Sequence, residues 1–126
     1  MSTHSVITTC RLDNGLDLLC LDDSKQIAAD RWFVCVRVQM NIPIEKKWFG
    51  QHPVDDEVFQ HIRRKLGDSI LFEQKKERNF ISDDQKSTLV KEICDSTVEM
   101  AKQYLSHDGF AAKYILKRFA EQTRHY

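Results

Sequence analysis

Four polar side chains could form a small pocket at one end of a predicted sheet: Asp30, Arg31, Arg78 and Asn79. Asp30 and Arg31 lead into a long alternating strand, and Arg78 and Asn79 come near the end of a later one. Buried charges need partners, so this set would either pair internally or hold a small polar ligand. We favour the structural alternative, in which Trp32 anchors the rim of the core and Asp30 or Arg31 pairs with a neighbouring strand.

Two basic runs form a second candidate, an anion site made of Arg63-Arg64-Lys65 and Lys75-Lys76. Acidic residues interrupt the second run, and the interleaved aromatics of a nucleic-acid surface are missing. Nineteen basic residues balance nineteen acidic ones, whereas a general nucleic-acid binder is usually plainly basic. Such runs are most often solvated faces, so nucleic acid is not an expected partner.

The spacing of histidine, glycine and serine excludes the common motifs for metals, phosphates and covalent catalysis. No two of the five histidines lie three to five residues apart, only four glycines occur, and there is no GxSxG. Cys35 beside Arg37 could be a reactive thiolate working with a distant histidine. Buried cysteines usually act as small hydrophobes, and we interpret Cys10, Cys20, Cys35 and Cys94 in this way. We therefore predict no catalytic, cofactor-binding or metal-binding residues.

The length of 126 residues fits a single domain, 1–126. The patterns predict a β-hairpin and a long strand within 5–44, a helix and a strand within 55–81, and C-terminal helices within 83–124. This order predicts an α+β fold: an antiparallel sheet of about four strands, with two or three helices packed mainly on one face.

Two local signals define the hairpin and the long strand. A three-residue turn, Asp13-Asn14-Gly15, would place Leu12 opposite Leu16 and keep the apolar residues of the hairpin on one face. Residues 31–42 show a period of two, with an apolar side chain at each even position from Trp32 to Ile42.

Helix boundaries are predicted from capping residues and breakers. Asp55 or Asp56 can cap a helix that ends at Gly67. "SDDQ", residues 82–85, is typical of a capping box that starts a helix extending to about Leu105, with Tyr104 on its apolar stripe.

Several short segments resemble an uncharacterised family of short bacterial proteins. They are Asn14-Gly15-Leu16, Asp23-Ser24, Ile27-Ala28, Asp30-Arg31-Trp32 and Arg78-Asn79-Phe80. The resemblance covers much of residues 12–105. It implies a domain identity, and it brings no assigned activity.

The leading hypothesis is a non-enzymatic cytoplasmic domain that binds a protein partner or forms a homo-oligomer. The net charge of zero leaves little repulsion between copies, and the adjacent aromatics Trp48 and Phe49 could form an interaction loop, or fold back onto the core. The alternative is a small-ligand or anion-binding module, and an enzyme with a non-contiguous site ranks third. No signal peptide and no membrane segment are expected, and the cysteines should be reduced thiols.

Overall fold

The computed structural model describes residues 5–50 and 54–123, and their core element is an antiparallel sheet. The five strands of the described ranges are β1 Ser5–Arg11, β2 Asp17–Asp22, β3 Lys25–Ala28, β4 Arg31–Pro43 and β5 Ser69–Ser82. The central strand β4 pairs with β5 along one side, and along the other side with β2 and with β3; β1 pairs with β2. With the helices described below, this sheet confirms the α+β prediction.

The hairpin between β1 and β2 has the predicted register. Cys10 lies opposite Leu18, and the Leu12 amide donates to the Leu16 carbonyl at 2.8 Å. Gly15 has φ of +86°, the left-handed conformation that a glycine adopts without steric penalty. Leu12, Leu16, Leu18 and Cys20 are all buried, so the choice of register follows the buried face.

The alternation of β4 separates an inner face from an outer face of the sheet. Val34, Val36, Val38, Met40 and Ile42 are completely buried on the inner face, where the helices pack. Each such side chain stabilises the fold by about 1.5–3 kcal/mol relative to exposure. The outer face carries a polar network, with Arg37 bonded to Asp23 at 2.8 Å and Gln39 to Glu73 at 2.6 Å.

The helical layer follows from the predicted caps, with one correction. Asp55 caps the first helix by accepting from the Val58 amide at 2.8 Å, and Gly67 ends it with φ of +86°. The capping box at 82–85 is wrong: β5 continues through Ser82, whose hydroxyl donates to Asp84, so the next helix begins only after a turn. The helical segments are α1 Asp56–Leu66, α2 Lys86–Met100, a π-helical segment Ala101–Leu105, and α3 Asp108–Thr123.

Tyr104 does not lie on the apolar stripe, contrary to the prediction, because its side chain is mostly exposed. The prediction assumed the α-helical period through Leu105. The π-helical segment Ala101–Leu105 has a wider turn, which moves successive side chains to different faces.

Among the described residues, the helices are too short or too polar to cross a membrane.

Candidate functional site

Trp32 links the N-terminal end of α2 to the sheet. Its indole Nε1 donates to the Asp83 carboxylate at 2.7 Å, and the Lys86 ammonium lies 4.7 Å from the centre of its ring. Lys86 also bonds Asp22 on β2 at 2.8 Å, and the Asp83 amide donates to the Asp30 carbonyl at 2.9 Å. These contacts give the segment Asp30-Arg31-Trp32 a structural role as the clamp that positions α2.

Asn14 contacts the other end of the helical unit formed by α2 and the π-helical segment. Its side-chain amide donates to the Leu105 carbonyl at 2.8 Å, and its oxygen accepts from the Leu16 amide at 3.1 Å. The hairpin turn therefore holds the end of the π-helical segment, where carbonyls lack helical partners. With Trp32 at one end and Asn14 at the other, α2 is held in a fixed position over the sheet.

The pKa of Asp22 reflects its place in the Trp32 clamp. Burial by itself would raise the pKa, but hydrogen bonds from Lys86 and Ser24 outweigh it and hold the pKa below its ordinary value. A carboxylate with a lowered folded-state pKa contributes stability above its unfolded pKa, and this contribution is lost as the pH falls through the folded-state pKa.

Replacing Asp22 by asparagine should therefore destabilise the protein near neutral pH, and the difference from the parent protein should shrink below about pH 4. Urea unfolding at a series of pH values measures this difference. A difference that stays constant from neutral to acid pH would show that the Asp22 charge does not contribute.

The predicted polar pocket does not form as one unit. Arg31 lies 3.4 Å from the carboxylate of its neighbour Asp30, and its guanidinium covers the ring of Phe80. Arg78 instead lies on the inner face opposite Val34. The pairing of β4 with β5 shifts by one residue between Trp32 and Val34. Asn79 lies in the resulting bulge of β5 and is exposed.

The two basic runs also separate. Arg63 pairs with Asp68 at 2.7 Å and Arg64 lies 3.5 Å from His61, both at the end of α1, where Lys65 also lies. Lys75 and Lys76 project to opposite faces of the sheet, since they lie opposite Arg37 and Val36 on β4. The structure therefore offers several separate cations rather than one anion-binding cluster.

Trp48 and Phe49 are buried and belong to the core. The Trp48 indole donates to the Pro43 carbonyl at 2.8 Å, and the Phe49 ring meets Phe59 edge to face at 6.3 Å. The loop therefore folds back onto the core and does not form an interaction loop. Both rings are buried and offer no surface to a partner.

Burial makes the interior thiols unreactive. It raises the pKa of Cys20 to about 12 and also raises the pKa values of Cys35 and Cys94. For Cys35, the effect of burial exceeds the lowering effect of the nearby Arg37. Because the thiolate is the nucleophilic form, these positions are poor candidates for covalent catalysis.

A groove lies between β5 and α2, and none of the structural contacts described above occupies it. Two cavities of about 410 and 450 Å³ share Arg78, Leu89 and Glu92, and so form one continuous depression. We call it the β5–α2 groove. One wall is β5, the other is α2, whose 15 residues span about 22 Å. Its apolar lining consists of Ile81, Leu89, Ile93 and Met100.

The walls of the β5–α2 groove carry opposite charges that the fold leaves unpaired. Lys76 and Arg78 lie on the β5 wall, and Glu92 lies on the α2 wall. Within residues 5–50 and 54–123, neither Lys76 nor Glu92 has an ion pair, and Arg78 bonds only to the Glu77 carbonyl, at 2.8 Å. The surface is therefore amphipathic and holds charges of both signs that are available to a partner.

Phe80 lies in the bulge of β5 in an unusual conformation. Its φ is +61°, a value rare for a bulky residue, and it is 67% exposed. The Arg31 guanidinium lies 5.2 Å from the centre of its ring, and Arg31 alternates with the inward Trp32, so this pair lies on the outer face of the sheet and outside the groove.

Comparison with protein-family models, with curated proteins and with solved structures gives no match to this chain. The functional interpretation therefore rests on the geometry of the groove.

The sequence analysis identified Arg78 and Lys76, but it missed Glu92 and Leu89 as residues of the groove and Phe80 as part of a bulge. The available signal for the bulge was a change of phase in β5. In β5, the apolar residues that face the core have even sequence numbers up to Phe72. Ile81 also packs against the core, but its number is odd. Such a shift by one residue marks a bulge, and it would have drawn attention to Phe80.

Proposed function

We propose that this protein is a protein-interaction module that self-associates, with the β5–α2 groove as its docking surface and a second copy of the chain as the occupant. The observation that carries the proposal is the pair of oppositely charged, unpaired groove walls, Lys76 and Arg78 facing Glu92. The apolar floor between them supplies the hydrophobic contact that a stable association needs.

A second copy fits this surface because the surface is self-complementary. In a two-fold symmetric contact, the same patch of each copy meets itself. If the two-fold axis runs along the groove, the β5 wall of one copy faces the α2 wall of the other at the same height. Lys76 and Arg78 then meet Glu92 of the second copy, and symmetry repeats each pair. The net charge of zero adds no long-range repulsion between copies.

The groove is a better docking surface than the free edge of β5. Side chains already occupy two edge carbonyls: Tyr114 and Arg118 donate to Leu71, at 3.5 and 3.3 Å, and Arg78 donates to Glu77. Charged side chains and a bulge are the usual means by which proteins block the pairing of edge strands. Strand addition at this edge is therefore disfavoured, and the groove beside it stays open.

Sedimentation equilibrium of the parent protein and of Glu92→Lys tests the proposal. The parent should show a molar mass that rises with concentration toward that of a dimer. Reversing Glu92 places two lysine–lysine and two lysine–arginine contacts in the interface, so association should weaken at least about tenfold. Raising the salt concentration should also weaken the parent association, because partly exposed ion pairs are screened.

Glu121→Lys is the matched control, since Glu121 is an exposed carboxylate on α3. It should associate like the parent protein. A parent protein that remains monomeric at all concentrations would exclude self-association, and equal weakening by both reversals would exclude the groove.

We also propose a cytoplasmic location, because all four cysteines are free thiols and reducing compartments maintain that state.

A further inference from the structure

We infer that the β5–α2 groove binds a small carboxylate with an apolar body, at the end of the groove that Thr97 lines. The site needs only one copy of the chain, so the inference goes beyond self-association. It names a small-molecule class for the groove, and it gives a role to a buried hydroxyl that the fold leaves without a partner.

Thr97 is the residue that points to a ligand. It is only 3% exposed, and it lines the cavity of about 410 Å³. A threonine hydroxyl inside a helix often donates to the carbonyl four residues earlier. Within residues 5–50 and 54–123, the Thr97 hydroxyl has neither that bond nor another partner, and its oxygen is not sealed inside the core. An acceptor placed in the cavity would satisfy it.

The other lining residues determine the chemistry of the ligand. Leu89, Ile93 and Thr97 follow one another at intervals of four residues on α2, and Met100 lies one turn further, so all four face the same side. The opposite wall contributes the Lys76 ammonium, which has no ion pair among the described residues. An alkyl chain fits against the apolar side chains, while its carboxylate meets Lys76 and accepts a hydrogen bond from Thr97.

Charge and volume both agree with a small monocarboxylate. Two cations, Lys76 and Arg78, line the cavity against one carboxylate, Glu92, so the balance favours an anionic group. A benzene-sized molecule needs about 150 Å³, so a cavity of about 410 Å³ has room for about ten to fifteen non-hydrogen atoms. Octanoate is a probe of this size and chemistry.

A nuclear magnetic resonance titration with octanoate tests the inference, at a protein concentration where the chain is monomeric. The backbone amides of residues 89–100 should shift, with a dissociation constant of about 0.1–1 mM. Thr97→Val keeps the shape of the side chain and removes the hydroxyl, so it should weaken binding about tenfold. The hydroxyl has no partner to lose, so this variant should melt at the temperature of the parent or above it.

Thr9→Val is the matched control, because it makes the same change on the outer face of the sheet. It should bind octanoate like the parent. Octanoate that shifts no amide of residues 89–100, or that binds Thr97→Val as tightly as the parent, would overturn the inference. So would a melting temperature of Thr97→Val more than about 3 °C below the parent, because the hydroxyl would then have a partner within the fold.

The ligand and a second copy should compete for the groove, and this part rests on the proposed self-association. Both would use Lys76 and the apolar floor, so saturating octanoate should lower the molar mass of the parent toward that of a monomer in sedimentation equilibrium. A parent that is monomeric without octanoate would exclude self-association, and the titration would still decide the ligand site. A parent that binds octanoate and associates as before would contradict the shared use of the groove.

Discussion

Replacing Trp32 by alanine is expected to lower the free energy of unfolding by about 3 kcal/mol. The indole packs against the core, donates to Asp83 at 2.7 Å and lies beneath the Lys86 ammonium. Alanine removes the ring and leaves Lys86 with Asp22 alone. Because small domains have a total stability of about 5–15 kcal/mol, the loss is a large fraction of the total.

Trp32→Phe is the informative control, since it keeps an aromatic ring and removes the indole donor. We expect it to cost about 1 kcal/mol, the usual contribution of one hydrogen bond. Denaturant unfolding measures both values, and amide hydrogen exchange of residues 86–90 should increase much more in the alanine variant than in the phenylalanine variant. A loss below about 1 kcal/mol for alanine would show that Trp32 is not the clamp of α2.

Reversing both cations of the β5 wall should have a large effect on association. Lys76→Glu with Arg78→Glu places four glutamates opposite the two copies' Glu92 residues. Four surface pairs are lost at about 0.2–1 kcal/mol each, and four repulsions of similar size are created, so association should weaken by at least about fifteenfold. Within the described residues, neither Lys76 nor Arg78 has an internal ion pair. The stability of the monomer should therefore change little, and this separates the effect from misfolding.

Lys113→Glu combined with Lys117→Glu controls for the change in net charge, because both lysines are exposed on α3 and their reversal changes the charge by the same amount. Its molar mass in sedimentation equilibrium should match the parent at every concentration. A double reversal that associates normally would mean that the groove walls do not meet a partner.

Those elements of the fold that depend on local patterning were predictable from the sequence. The period of two in β4 and the glycine at position 15 each define a structure within a few residues. The clamp at Trp32 was foreseen as an anchor. Its partner Asp83 was not, because residues 51 positions apart meet only after the turn between β5 and α2 has formed.

The groove could not be predicted, because it depends on where α2 lies over the sheet. Lys76, Arg78 and Glu92 belong to different elements, and their common surface exists only once Trp32 and Asn14 hold α2 in place. The bulge at Phe80 is similar: its φ depends on the pairing of β5 with β4, and phenylalanine itself has no preference for that conformation. For Trp48 and Phe49, burial against the core was the favoured of two arrangements, because large aromatic residues are mostly buried, and both are buried in the structure.

The most direct test of self-association through the groove is the full charge swap, in which Lys76→Glu, Arg78→Glu and Glu92→Lys are combined in one chain. The double reversal of the β5 wall and the single reversal of Glu92 should each weaken association, because each creates like-charge contacts across the two-fold axis. The combined variant restores every opposite-charge pair between copies with its signs exchanged. We predict that its molar mass in sedimentation equilibrium returns close to that of the parent at the same concentration. A combined variant that associates as weakly as Glu92→Lys, or more weakly, would contradict a contact between the β5 wall of one copy and Glu92 of the other.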